Sequence, residues 1–455
     1  MAIVAINPAT GETVQEYEEM NAVEAADAVE KAHAAYLDWK RLSYGERGLL
    51  VRELARVLRA DADEHAHMIT AEMGKSIVEG RAEIEKCAWA CEYYAEHTER
   101  ILADEVVPTD AHKSYIAHRP LGVVLAVMPW NFPYWQVLRF AAPAVMAGNA
   151  GVLKHASNVP GSALAIEKVF RQAGFPEHLF RTLLIGSGQV AAIIENPRVQ
   201  AVTLTGSTPA GRAVATKAGE MLKKTVLELG GSDPYIILED ADLPAAAASC
   251  VAGRLGNAGQ SCVAAKRFVV VEEVREEFEA LVIAGMKSRS MGDPLDENTQ
   301  IGPMARHDLR DELHEQVQKS IAKGARCLLG GEIPDNKGAY YPPTLLTDVA
   351  PGMPAYTEEF FGPVASVISV KDEAEAIAVA NSSVFGLGGA VFTQDIARGE
   401  RIAKEELESG CCFVNDFVRS DPRLPFGGVK ESGYGRELSD YGMKEFVNTK
   451  TVYIK

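Results

Sequence analysis

From Asn21 to about Thr98, apolar residues return at helical spacing, with Leu49, Leu50, Leu54, Val57 and Leu58 the clearest run. Asn21 and Ser43 stand where N-caps are needed, and the many intervening charges read as a solvated face. The residues before Asn21 predict two short extended segments about a turn at Asn7-Pro8-Ala9-Thr10-Gly11-Glu12. Beyond Val106-Val107-Pro108 the periodicity changes. Ser114–His118 and Val123–Val127 predict strands, followed by a strand at Ala150–Lys154, a helix at Ser162–Ala173 and a strand at Ala201–Thr205. A helix at Pro209–Met221 and a strand at Thr225–Leu229 complete this round. A second round runs from the strand Pro234–Leu238 through the small-residue run Pro244–Gly253, the strand Phe268–Val271 and helices at Val274–Arg289 and Leu309–Lys323. It closes with a strand at Val364–Val370 and a helix at Glu373–Ala380. Strand and helix in alternation predict the α/β class, with open parallel sheets covered by helices. The tail Phe446–Lys455 alternates like a strand with nothing after it to cover it, so it must pair with something, a partner subunit being one choice.

A chain of 455 residues is long enough for two or three domains. Its net charge of -17 argues against nucleic acid and anionic membrane as partners, since both require a basic face, but leaves a small anionic ligand open. No stretch resembles a transmembrane helix, and the N-terminus lacks the layout of a signal peptide. Seven cysteines form no framework spacing. Cys87 and Cys91 stand four apart without a His or Cys partner set, so no metal is expected. A reducing cytoplasm is the expected location.

Chemistry enters at the strand ends. In open α/β sheets ligands bind outside the carboxyl ends of the strands. Those ends carry Pro129-Trp130-Asn131, Lys154, Gly206-Ser207-Thr208 and Glu228-Leu229-Gly230-Gly231. Gly206–Gly211 joins a strand to a helix and offers N–H groups and a hydroxyl to a phosphate, although it is not the G-x-G-x-x-G fingerprint, and such turns are often purely structural. Glu228, held on rigid backbone in an apolar run, suits either a general base or a salt-bridged carboxylate. Cys262 ends the polar turn Asn257-Ala258-Gly259-Gln260-Ser261, where a thiol is either an accessible nucleophile or one more small buried hydrophobe.

Six ordered motifs settle the choice. Pro129-Trp130-Asn131-Phe132-Pro133, Gly206-Ser207-Thr208, Glu228-Leu229-Gly230-Gly231, Gly259-Gln260-Ser261-Cys262, Glu358–Pro363 and Pro425-Phe426-Gly427-Gly428 together resemble the aldehyde dehydrogenase superfamily over essentially the whole chain. Within it the chain is most similar to bacterial succinate-semialdehyde dehydrogenases. The resemblance implies a cofactor-binding domain (1–106 and 129–230), a catalytic domain (231–431) and a small β oligomerisation element (107–128 and 446–455) in a homodimer or homotetramer. It implies that Cys262 attacks the aldehyde, that Asn131 and the Cys262 N–H hold the oxyanion, and that Glu228 activates the water that hydrolyses the thioester. Trp130, Gly206, Ser207, Glu359 and Phe361 would line the nicotinamide cofactor's site.

Cofactor choice follows from the position three after Lys154, where many NAD-preferring members carry a Glu and this chain has Ser157. A carboxylate would repel a 2′-phosphate, whereas Ser157 can donate to it and Lys154 can pair with it. NADP is therefore expected, with NAD possible. Arg139, eight residues after Asn131, matches the carboxylate-binding Arg of semialdehyde dehydrogenases, and Ser420 matches a second anchor. Some members carry another Arg where this chain has Gly256, and Arg254 and Arg423 are the candidates to compensate. Oxidation of another small aldehyde is the nearest alternative. A CoA-acylating dehydrogenase would have no need of Glu228, and a cofactor-free cysteine hydrolase would leave Ser207 and Glu359 without a role. Ala264 stands where redox-sensitive relatives have a second cysteine, which removes a disulfide switch at the nucleophile.

Overall fold

The predicted helical region resolves into four helices, Ala22–Trp39, Tyr44–Ala60, Ala62–Met73 and Ile77–Ile101. Asn21 and Ser43 do cap the first two: each side chain accepts from a helix N–H while Glu24 or Glu46 bonds back to the cap N–H, a reciprocal capping box. The computed structural model describes residues 2–455.

The first α/β sheet has its strands in the order Gly433–Tyr434, Lys224–Glu228, Val199–Thr205, Val123–Met128, Ala150–His155, Phe180–Thr182. All pairings are parallel except that of Gly433–Tyr434. Successive connections from Val123–Met128 lead outward to one side and then cross to the other, so the strand order reverses between Val123–Met128 and Val199–Thr205. The crevice at such a reversal is where a nucleotide binds. Two loops leave the sheet at that crevice, one starting at Pro129 and the other at Gly206.

The second sheet runs Arg326–Leu329, Thr344–Thr347, Val364–Val370, Ala265–Val271, Asp233–Ile237, Gly388–Phe392, Cys411–Val414 and is parallel apart from its first strand. Four of these strands, Arg326–Leu329, Thr344–Thr347, Gly388–Phe392 and Cys411–Val414, escape the sequence pattern because they are short and lie among turns. Residues 244–253 form a helix, Leu243–Leu255, whose small side chains pack closely on the sheet.

A third, antiparallel sheet joins Val447–Ile454 to Lys113–Pro120 and Glu105–Val106. The tail is thus an edge strand, with its partner inside the chain. The expectation that residues 107–128 act as one hairpin element is corrected here. Lys113–Pro120 belongs to the small sheet, but Val123–Met128 is a central strand of the first sheet. Its residues are apolar towards both faces and almost all buried, a pattern that requires cover on both sides.

Candidate active site

Helix Leu243–Leu255 ends at Gly256, and Asn257, Ala258 and Gly259 all adopt left-handed backbone. This turn reverses the chain and delivers Cys262 to the cleft between the two sheets. Arg254 holds it: the guanidinium donates to the carbonyls of Gly259 (2.8 Å), Phe360 (3.0 Å) and Gly362. Lys266 holds the other end, donating to the carbonyls of Ser261 (3.0 Å) and Cys262 (2.7 Å) and lying 3.7 Å from Glu359. Gly231 faces the same carbonyl, and a methyl group there would come within 2.6 Å of it.

Cys262 is half-buried and outside any disulfide, and it touches two cavities of about 280 Å³ each. One is mainly apolar, walled by Phe132, Trp135, Val263, Phe417 and Phe426. The other opens on the crevice of the first sheet and is lined by Trp130, Gly206, Ser207, Glu359 and Phe361. Burial pushes the Cys262 thiol up to about 12, against the pull of Arg139 and Lys266. The resting side chain is therefore a thiol and needs a base before it can act as a nucleophile.

Asn131 is buried beside this thiol. Gln136 donates to its Oδ1 (3.1 Å), and its Nδ2 donates to the Gln260 carbonyl (3.0 Å). An amide nitrogen carries two protons, so one remains for the cavity. The loop carrying Asn131 is itself fixed, since Asn257 donates to the Asn131 carbonyl (2.8 Å) and His155 bonds the Pro133 carbonyl (2.9 Å). His155 is held neutral, down at about 4, by burial. It therefore acts as a fixed donor at Nε2, while its Nδ1 accepts from the Ala156 N–H.

Glu228 ends its strand at the same crevice and is almost fully buried, with no hydrogen-bond partner for either carboxyl oxygen among the described residues. Its pKa is well above the carboxylate range because of burial and then the nearby Glu437, with Arg139 pulling the other way. In this conformation it packs under Gly427, where a methyl group would lie 2.6 Å from Oε1, and it lines neither cavity.

The second cavity suits a dinucleotide. Ser207 caps the helix Thr208–Glu220 yet its side chain makes no bond to that helix, so its hydroxyl and the first-turn N–H groups are available to a phosphate. Trp130 and Phe361 stand edge to face at 5.7 Å. Glu359 accepts from the Gly231 N–H at 3.0 Å. Lys154 and Ser157 lie off this cavity, at and just past the end of the next strand, with Ser157 exposed before the helix Pro160–Gln172.

The substrate-side expectations fare unevenly. Ser420 lines the apolar cavity, and so does Arg139. But Arg139 is not a free cation: its Nε forms a buried ion pair with Glu437, its Nη2 reaches Thr205 (3.3 Å), and its guanidinium lies over the Phe426 ring. Neither proposed substitute for the Arg missing at Gly256 serves. Arg254 is buried against backbone carbonyls, and Arg423 is bound to Asp421 on the surface. Gln136 was not singled out by the sequence, because a Gln inside an apolar helix carries no signal until its partner is placed beside it.

A nucleotide crevice facing a second α/β domain that presents one cysteine to the shared cleft defines a thiol-dependent dehydrogenase. The chain belongs to the aldehyde dehydrogenase family, whose family model matches residues 1–452. It is 51% identical over 454 residues, all of both chains, to a probable succinate-semialdehyde dehydrogenase [NADP(+)] of Synechocystis. It is 49% identical over 459 residues, again all of both, to succinate-semialdehyde dehydrogenase [NADP(+)] 1 of Mycobacterium tuberculosis. The crystal structure of succinic semialdehyde dehydrogenase from Streptococcus pyogenes in complex with NADP+ superposes with a TM-score of 0.97 at 38% identity, covering 99% of each chain. No helix among the described residues is long and apolar enough to cross a membrane.

Proposed function

We propose that this enzyme oxidises succinic semialdehyde to succinate with NADP as hydride acceptor. The observation that carries the reading is the position of Cys262 where an apolar pocket meets a dinucleotide crevice. Full-length similarity to enzymes of that name supports it.

Cys262 passes its proton to water in the cleft and attacks the aldehyde carbon as the thiolate. The second Asn131 amide proton and the Cys262 N–H, which meets no acceptor among the described residues, face the developing oxyanion. One such donor contributes about 10²–10³ in rate. The bound nicotinamide supplies the hydride acceptor, and an acyl group remains on Cys262 as a thioester. Glu228 then leaves its place under Gly427, takes a proton from water at the thioester and is restored as the acid departs, a general-base contribution of roughly 10²–10⁴. In its resting place under Gly427 burial raises its pKa, so ionisation accompanies the move towards Cys262. With the cofactor bound, Glu359 would hold the nicotinamide ribose and Ser207 the pyrophosphate. The preference for NADP rests on Lys154 and the exposed Ser157, which present a cation and a hydroxyl, and no carboxylate, to a 2′-phosphate.

The edge strand Val447–Ile454 supports assembly as a homo-oligomer, since its outer side has no partner strand among the described residues. A cytoplasmic location fits its free cysteines.

The deciding experiment follows absorbance of the reduced nicotinamide with NADP or NAD over a panel of aldehydes. Succinic semialdehyde with NADP should give the highest kcat/KM. A higher value for an uncharged aldehyde would overturn the substrate assignment and leave the dehydrogenase standing.

A further inference from the structure

Lys266 opens the strand that follows the nucleophile, and its side chain reaches back to the turn before it. The ammonium is buried and meets four acceptors. They are the carbonyls of Ser261 (3.0 Å), Cys262 (2.7 Å) and Ala264 (3.4 Å), and Glu359 Oε1 at 3.7 Å. An ammonium has three protons. The bonds to Ser261 and Cys262 are short, so the third proton is contested between Ala264 and Glu359. Glu359 is fixed for this contest, since the same Oε1 accepts from the Gly231 N–H at 3.0 Å.

A buried cation bonded to the nucleophile's own carbonyl acts on the thiol by charge as well as by geometry. Burial raises the Cys262 thiol, Arg139 and Lys266 draw it down, and Glu359 and Glu228 push it up. The two cations differ in their surroundings. Arg139 is offset by Glu437 in a buried ion pair. Around Lys266, burial disfavours the charge, Glu359 and Asp233 favour it, and Arg254 opposes it. Asp233, on the adjoining strand, is pushed up to about 6 by burial, so it is a full counter-charge only above that pH. Glu359 is raised by burial too, and Lys266 is the foremost cation opposing that rise. Lys266 is thus tied to the thiol on one side and to a carboxylate of the dinucleotide crevice on the other.

We propose that Lys266 is the positioning residue of the nucleophile turn, and that it divides its charge between Glu359 and Cys262, so that Glu359 restrains the thiol through Lys266. The proposal rests on the reading of Cys262 as the nucleophile. Removing the carboxylate gives the ammonium wholly to the turn and makes the thiol more reactive. Removing the ammonium makes it less so.

The test measures alkylation of Cys262 by iodoacetamide at about pH 8 in cofactor-free enzyme, with peptide mass spectrometry to locate the label. The wild type is compared with Lys266→Met, Lys266→Arg, Glu359→Gln and the double variant Lys266→Met/Glu359→Gln. Lys266→Met should slow alkylation on the order of tenfold, and Lys266→Arg, which keeps the charge, should recover much of the rate. A merely structural loss has the opposite sign, because a loosened turn exposes the thiol and speeds alkylation. Glu359→Gln should speed alkylation several-fold, and that gain should vanish in the double variant, which lacks the ammonium that carried it. An unchanged or faster rate in Lys266→Met would overturn the role of Lys266. Effects that simply add in the double variant would show two independent charges and overturn the division. If Lys266→Met fails to fold, Glu359→Gln decides alone, and a rate at or below that of the wild type overturns the proposal. Wild-type enzyme that stays fully active as a dehydrogenase after Cys262 is labelled would overturn the reading of the nucleophile along with it.

Discussion

Gln136 donates to Asn131 Oδ1 at 3.1 Å, and this bond fixes which end of the Asn131 amide faces Cys262. Were the amide reversed, an oxygen would meet the oxyanion and repel it. The donor is placed by a chain of supports. Glu83 accepts from the N–H groups of Tyr134 and Trp135 at the start of the helix Trp135–Ala147, where a negative charge meets the positive end of the helix dipole. Gln136 lies in the first turn of that helix.

Removing the clamp should cost rate more than binding. Gln136→Met leaves the Asn131 amide oriented only by its bond to the Gln260 carbonyl, and kcat is expected to fall about tenfold with little change in KM, while Asn131→Ala should lose the full oxyanion contribution of about 10²–10³. Steady-state kinetics on both variants check this. A Gln136→Met enzyme with wild-type kcat would show that the amide is held by other contacts.

Ser157→Glu should reverse the cofactor preference. A carboxylate beside Lys154 repels a 2′-phosphate and accepts from ribose hydroxyls, so the NADP/NAD ratio of kcat/KM is expected to fall on the order of 100-fold. The measurement is initial rates with each cofactor at fixed aldehyde. No change in the ratio would remove Ser157 from the account.

The cofactor-free thiol should react slowly and with a steep pH dependence. Burial holds Cys262 at about 12, so its thiolate fraction rises about tenfold per pH unit throughout the neutral and mildly alkaline range. The rate of Cys262 alkylation by iodoacetamide, followed by peptide mass spectrometry, should still be climbing at pH 9. A plateau near pH 8 would mean that the thiol is activated without cofactor.

Glu437 influences the base from a distance. Its charge disfavours ionisation of Glu228, while Arg139 favours it. Glu437→Gln takes away the repulsion and leaves Arg139 without its partner, so both changes push the Glu228 pKa down. The acid limb of the kcat profile should move to lower pH. Stripping a buried cation of its counter-ion also costs about 3–5 kcal/mol, so Tm should drop by several degrees. An acid limb that stays in place or moves to higher pH would separate Glu437 from the base.

The sequence by itself determined the elements whose reason is local. Capping boxes at Asn21 and Ser43, the alternation of apolar strand and amphipathic helix, and the motifs at strand ends depend on neighbours within a few residues. For the same reason the positions of Cys262, Asn131, Glu228 and the Gly206-Ser207 turn could be read before any contact was known. Tertiary structure decided everything that depends on a partner far away in the chain. Val123–Val127 reads as one arm of a hairpin until the strands Ala150–His155 and Val199–Thr205 close on both its sides. Arg139 reads as a free cation until Glu437, nearly three hundred residues on, is seen paired with it. Lys86 is one charge among many on a helical face until Ser420 and Trp135 meet it in the cavity wall. A motif can announce a nucleophile. Whether a charge is spent or free is set by a counter-ion's distance, and sequence spacing does not encode that distance.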